Sequence, residues 1–316
     1  MKFEIEKNKI ETILHKASRL TGKHITLPVL SCIYFDLNKD DLIVKSTNLD
    51  LGFEFKTKVK SVDAGSFVVP ASILLNTISS IKDEKINFEI SDSNLKITTL
   101  KNKALIKCMP KDDFPSIPVI EGNSTVKISI NDLLLGFKSV WYSASNSTIK
   151  PELSSVYVYK NNSFLTFVST DSFRLAEKNI HIKFNNDFQP ILIPYKNVVE
   201  IIKILEGFDG EIDILFDKNQ IAFKYKDLYL VSRLIDGSFP DYKQIIPKES
   251  TTNLVLLKSE LVNAIKSSTV FSDSLNQIKL KVDSKNKTLT IESKNSNVGE
   301  YTESIKAVTE GDSVEL

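Results

Sequence analysis

A chain of 316 residues, 41% of them hydrophobic, can bury two or three ordinary cores, which excludes disorder as the default state. Its 41 Lys and Arg against 40 Asp and Glu leave a formal net charge of +1, so no charge block announces a nucleic-acid partner or an acidic substrate, and any basic surface must come from uneven placement. Cys32 and Cys108 stand alone in apolar strand-like runs, nothing at the N-terminus reads as a signal peptide, and no apolar run reaches the roughly 18 residues of a membrane span. These features predict a soluble protein of the reducing cytoplasm with both thiols buried.

Lys2 to Ile5 alternates as a short strand, and Asn8 with Glu11 three positions later reads as a capping box opening a helix. Ile10, Ile13, Leu14, Ala17 and Leu20 then fall at helical spacing and give that helix one buried stripe. Strand patterns follow at Leu30 to Leu37, Leu42 to Thr47, Leu51 to Val59 and Ser66 to Val69. Pro70 stands where a second helix can begin, ahead of Ile73, Leu74, Thr77, Ile78 and Ile81. Strands at Ile86 to Ile90, Leu95 to Thr99 and Ala104 to Cys108 close the unit.

The same order then returns. Asn131 to Ser143 is a helix with Leu133, Leu134, Phe137, Val140 and Trp141 as its apolar set, and Pro194 opens another with Val198, Val199, Ile201, Ile202 and Leu205. Pro28 to Pro151 is 123 positions, Pro70 to Pro194 is 124, and Phe114 to Phe239 is 125. A steady offset of that size marks duplication of a whole domain. A third copy opens near Thr252 with a helix over Ser259 to Ser268 and strands at Ile278 to Val282, Thr288 to Ser293 and Glu300 to Lys306. The reading is therefore an α+β protein of tandem repeats, two helices packed on antiparallel sheets in each, with boundaries at 1–122, 123–250 and 251–316 and the third repeat partial. The links Pro115 to Gly122 and Pro247 to Thr251 are short and contain proline, which predicts stiff joints.

The sequence shows no Gly-rich phosphate loop, no nucleophile elbow and only 10 glycines. His15, His24 and His181 lie far apart and outside any metal-ligand spacing, so no catalytic or metal site and no cofactor is expected. Glu211, Asp213 and Asp217 share strand parity, which leaves a metal-dependent nucleic-acid enzyme on repeated α+β units as the alternative to an exposed sheet face.

Two blocks do not read as scaffold: Val168-Ser169-Thr170-Asp171-Ser172-Phe173-Arg174-Leu175-Ala176, and the connector from Leu234 through Asp236-Gly237-Ser238-Phe239-Pro240-Asp241-Tyr242 to Pro247. Thr, Leu, Pro and Ile with an Arg at the edge suit capture of a short apolar peptide. In these strings, and in Leu27-Pro28-Val29-Leu30, Ser46-Thr47-Asn48-Leu49-Asp50, Val69-Pro70-Ala71 and Asp113-Phe114-Pro115, the whole chain resembles the bacterial sliding clamp family, the beta subunit of DNA polymerase III. The resemblance implies a non-catalytic ring of two head-to-tail protomers, with helices lining a central pore around duplex DNA and sheets outside. It implies a cleft that docks peptides of the polymerase catalytic subunit, the clamp loader and other clamp-motif proteins, at Thr170, Ser172, Phe173, Arg174, Leu175, Pro240, Gln244 and Ile245. Ser172 and Phe173 replace a common Gly and His, and Gln244 a frequent Arg, which predicts a different motif preference.

Residues 7–24 carry Lys7, Lys9, Lys16, Arg19 and Lys23 against Glu11, a local excess of +4 that fits sequence-independent phosphate contact. That excess makes Lys16 and Arg19 candidates to face DNA, and the resemblance places Lys23, His24 and Lys196 toward DNA and Ala104, Ile106, Val270 and Phe271 at the seam between protomers. It also implies that the third repeat is about 50 residues short of a full unit, so the chain is expected to be incomplete.

Overall fold

In the first two repeats a strand turns directly into a helix. In the computed structural model, which describes residues 1–22, 26–120, 126–147, 149–183 and 188–316, Lys2–Glu6 runs into helix α1, Lys7–Ser18. Ile10, Ile13, Leu14 and Ala17 form its buried stripe. The Asn8–Glu11 capping box does not form. Glu6 is still extended at the helix mouth, and the first helical amide, Lys7 N–H, donates instead to the Glu84 carbonyl at 2.8 Å. Asn8 thus lies inside the first turn, and Glu11 pairs with Lys7 at 2.5 Å. The second repeat repeats the device. Strand Val126–Ser129 enters helix α3, Ile130–Val140, whose first amide donates to the Gly210 carbonyl at 2.8 Å. Here a true cap is present as well, with the Ser129 hydroxyl accepting from the Asp132 amide at 3.2 Å.

The second helix of each repeat follows a strand that ends in proline: α2, Ala71–Ser80, after Pro70, and α4, Tyr195–Leu205, after Pro194. Leu74 and Ile78 of α2, and Val198, Ile201, Ile202 and Leu205 of α4, point into the core. The strand expected over Leu30 to Leu37 begins later, at Cys32, because Pro28–Ser31 winds into a short 3₁₀ turn. Cys32 is buried as predicted, whereas Cys108 is only half-buried, and burial pushes both thiols above their ordinary range.

The chain divides into two compact bodies, Met1–Phe239 and Pro240–Leu316, each described by itself. In the first, the two repeats share one sheet. Eight antiparallel strands run in the order Val126–Ser129, Glu211–Phe216, Gln220–Tyr225, Leu228–Arg233, Leu51–Lys58, Asp41–Thr47, Cys32–Asn38, Gly65–Pro70. The joint lies at its centre, where Leu228, Leu230 and Ser232 of the second repeat face Phe55, Phe53 and Leu51 of the first. Edge strands that would invite aggregation are thereby paired. A five-stranded sheet ends on the edge strand Lys103–Lys107, and a four-stranded sheet ends on Leu175–His181.

Each of the first two repeats closes by laying its Phe-Pro phenylalanine on a tyrosine of its own first long strand. Phe114 meets Tyr34 at 5.1 Å and Phe239 stacks on Tyr157 at 4.8 Å. A second recurring device was not legible beforehand. The buried hydroxyls of Ser46, Ser169 and Ser293 donate to carbonyls at the C-terminal end of the first helix region of their repeats: Ala17 at 2.7 Å, Val140, and Ser268 at 2.7 Å. Carbonyls at a helix C-terminus lack the full intrahelical ladder, and each serine gives one of them a donor inside the core; Ala17 and Ser268 also accept the Leu20 and Phe271 amides at 3.2 and 3.0 Å.

The second body carries helix α5, Lys258–Thr269, and a four-stranded sheet in the order Gly299–Lys306, Thr288–Asn295, Lys279–Asp283, Val314–Glu315. A separate pair joins Thr252–Val255 to Val308–Gly311. Ala264 of α5 packs with Val282, Leu289, Ile291 and Ile305 in a small core.

Candidate partner-docking turn and nucleic-acid-facing helices

The turn between strands Phe164–Thr170 and Leu175–His181 is organised by its first two residues. The Thr170 hydroxyl accepts from the Ser172 amide at 3.1 Å and donates to the Arg174 carbonyl at 2.8 Å. One oxygen of Asp171 accepts from the Phe173 and Arg174 amides at 3.0 and 2.9 Å, and the other accepts from Arg174 Nε at 2.9 Å. Burial pushes the Asp171 carboxyl up, but the two amides and the guanidinium outweigh it and hold it below its ordinary value. Ser172 sits at φ 78°, a left-handed conformation that favours glycine, so the turn holds strain there. The result is a rigid tip that leaves Phe173 98% exposed.

Of the connector positions, Pro240, Gln244 and Ile245 belong to the second body. Tyr242–Ile245 forms a 3₁₀ turn, Gln244 Nε2 donates to Asp241 at 2.7 Å, and the Ile245 side chain is exposed.

The helical cations are less free than their count suggested. Lys16 Nζ donates to the Ile204 and Glu206 carbonyls at 2.5 and 2.8 Å and lies 4.3 Å from the Phe208 ring centroid, so it caps the C-terminus of α4 in the other repeat. Burial pushes this ammonium down, and Glu206 offsets part of that. Arg19 Nε donates to Glu200 at 2.6 Å. Lys7 pairs with Glu11, and Lys9 donates to the Lys58 carbonyl at 3.2 Å. Lys196, in the first turn of α4, is exposed. Lys23 and His24 lie outside the described residues.

At the seam positions, Ile106 is buried in the core and Ala104 packs partly against it. The apolar side chain left outward on that edge strand is Leu105, 67% exposed. The signal for it was the run Ala104-Leu105-Ile106, since consecutive apolar residues put one on each face of a strand. Val270 is exposed, while Phe271 is half-buried and stacks on Tyr301 at 5.7 Å.

The acidic alternative finds no support. Asp213 lies 3.8 Å from Lys127, and Asp217 accepts the Asn219 and Gln220 amides at 2.7 and 2.8 Å as a turn cap. Among the described residues no group of three His, Cys, Asp or Glu could hold a metal ion, and no helix is long and apolar enough to cross a membrane.

Residues 1–118, 127–241 and 243–316 match, in order, the families described as the N-terminal, central and C-terminal domains of the DNA polymerase III beta subunit. The chain belongs to that family, a non-catalytic processivity subunit of DNA replication. It is 25% identical over 325 residues to the beta sliding clamp of Synechococcus elongatus, covering 100% of this chain and 86% of the relative. The Chlamydia pneumoniae beta sliding clamp is 26% identical over 277 residues, 86% of this chain and 75% of that one. The same fold occurs in the DNA polymerase sliding clamp of Bacillus subtilis, with TM-score 0.91 and 24% identity over 100% of this chain and 86% of that chain. The Thermotoga maritima DNA polymerase III beta subunit gives TM-score 0.90 at 22% identity over the same shares.

Proposed function

We propose that two copies of this chain close head to tail into a cytoplasmic ring around duplex DNA, each with repeats bounded at 1–122, 123–250 and 251–316. The observation that carries this reading is the joint between the first two repeats. Leu228–Arg233 pairs with Leu51–Lys58. By the repeat offset, Lys103–Lys107 is the first repeat's counterpart of Leu228–Arg233, because 103 plus 125 is 228. Gly299–Lys306 is the third repeat's counterpart of Leu51–Lys58, because 51 plus 124 plus 124 is 299. Both are edge strands in the sheets described. A joint of the kind already present inside the chain then forms between protomers, with Leu105 and Val270 available to it beside Ala104, Ile106 and Phe271.

DNA is met without sequence preference by the helices, with Lys23, His24 and Lys196 assigned by resemblance and Lys16 and Arg19 by the local charge excess of residues 7–24. The Thr170–Leu175 turn, with Pro240, Gln244 and Ile245, receives apolar peptides of the polymerase catalytic subunit, the clamp loader and other clamp-motif proteins. Its preorganised polar frame and exposed Phe173 support that role. The ring is tested by its mass. The 35.6 kDa chain should sediment as a dimer at micromolar concentration and Leu105→Glu should return it to monomer; a monomer at every concentration contradicts the ring.

A further inference from the structure

The turn at Thr170 has a twin. The Thr47 hydroxyl accepts from the Leu49 amide at 3.0 Å and donates to the Leu51 carbonyl at 3.0 Å, and Asn48 accepts the Asp50 and Leu51 amides at 3.1 and 2.8 Å. Leu49 takes φ 77°, against 78° at Ser172. Thr47 thus corresponds to Thr170, Leu51 to Arg174, and Gly52 to Leu175.

The two turns differ in one respect that has a physical consequence. A Cβ at Gly52 would lie 2.8 Å from Ile117 Cγ2 and 3.0 Å from Val231 Cγ1. The side chain that the second turn carries at its Leu175 is therefore supplied at the first turn by the linker. Ile117 packs beside Val231, Leu215 and Ala222 of the second repeat. The linker is held there by the Ile120 amide, which donates to the Tyr229 hydroxyl at 2.9 Å, and by that hydroxyl donating to the Pro118 carbonyl at 3.2 Å. Next to Ile117 the groove continues as an open cavity of about 340 Å³, with Leu49, Pro115 and Val231 as its apolar wall and Asp50, Gln220 and Arg233 as its polar one.

We propose that this groove is a second docking site for a short apolar peptide, built like the Thr170 turn and kept closed by Ile117 of the chain's own linker. The proposal rests on the peptide-docking reading of residues 170–175. A tethered segment acts at an effective concentration on the order of millimolar, so a free peptide with comparable contacts competes only near that concentration. Replacing the resident side chain removes this penalty and raises the apparent affinity by the fraction of groove set free.

The test is calorimetric titration of the full chain with a synthetic peptide carrying the sequence of residues 114–120. Wild type should show no occupancy of the first groove below about 1 mM. Ile117→Ala should gain one site per chain, at least tenfold tighter, and Gly52→Leu added to it should remove that site again. An unchanged stoichiometry in Ile117→Ala overturns the proposal. Should that variant not fold, hydrogen exchange of the Ile120 amide in wild type decides. Exchange quickened by several millimolar peptide supports displacement of the linker, and unchanged exchange contradicts it. Arg174→Ala with Leu175→Ala, placed in each background, separates the two readings. If the docking role of residues 170–175 is wrong, this pair alters binding nowhere, whereas the site gained on Ile117→Ala is scored independently of it.

Discussion

Phe173 projects from a turn whose Ser172, Phe173 and Arg174 amides are already bonded to Thr170 and Asp171, so binding a partner there costs little ordering. Arg174→Ala with Leu175→Ala is expected to weaken binding of an apolar clamp-motif peptide at least tenfold, about 1.4 kcal/mol. Unchanged affinity by fluorescence anisotropy refutes the assignment. Phe173→His should change which peptide is preferred rather than whether one binds. Acid should act through Asp171, because its folded pKa is held below the ordinary 3.8. Its contribution to the turn is complete above about that value and is lost as pH falls through the lower folded pKa. An NMR titration should show the Phe173 amide moving only below that ordinary value, and a midpoint above it would contradict the hydrogen-bonding account. The residues of this turn were legible from the string Thr170-Asp171-Ser172-Phe173-Arg174. The strain at Ser172 was not, since nothing local forces a serine to positive φ.

At the level of elements, the serine contacts between strand and helix decide how firmly each repeat is held. Ser46→Ala removes one of the donors to the Ala17 carbonyl, which keeps the Leu20 amide at 3.2 Å, a cost of about 0.5–1.5 kcal/mol. A body of this size loses about 2–4 °C of melting temperature per kcal/mol, so scanning calorimetry should find a clear drop. Ser80→Ala, an exposed residue whose hydroxyl donates only to the Thr77 carbonyl at 2.8 Å, should leave it nearly unchanged. Equal effects would show that the buried hydroxyl carries no special weight. Helices α1 to α5 were readable because their apolar residues keep a 3.6 period. The uses of Lys16 and Ser46 were not, because their partners are set by tertiary packing: Ile204 lies 188 positions from Lys16. For the same reason the local charge count around α1 overstated the free basic surface.

For the whole molecule, repetition is what sequence showed best and what structure turned into mechanism. The offsets of 123 to 125 were visible in Pro28, Pro70 and Phe114 with their counterparts, but not the fact that successive repeats share one eight-stranded sheet. Strand pairing across repeats depends on which edges meet, and alternating hydrophobicity is silent about partners. Once the joint is seen, Lys103–Lys107 and Gly299–Lys306 stand out as the edges that a second copy can use. A ring assembled this way holds DNA by topology, with loose and salt-sensitive contacts that permit sliding. The most direct measurement is therefore retention of this protein, loaded by a bacterial clamp loader, on nicked circular DNA in high salt before and after a single linearising cut. Encirclement predicts stable retention on the circle and rapid loss through the free ends. Equal retention on both forms, or equal loss from both, would contradict it.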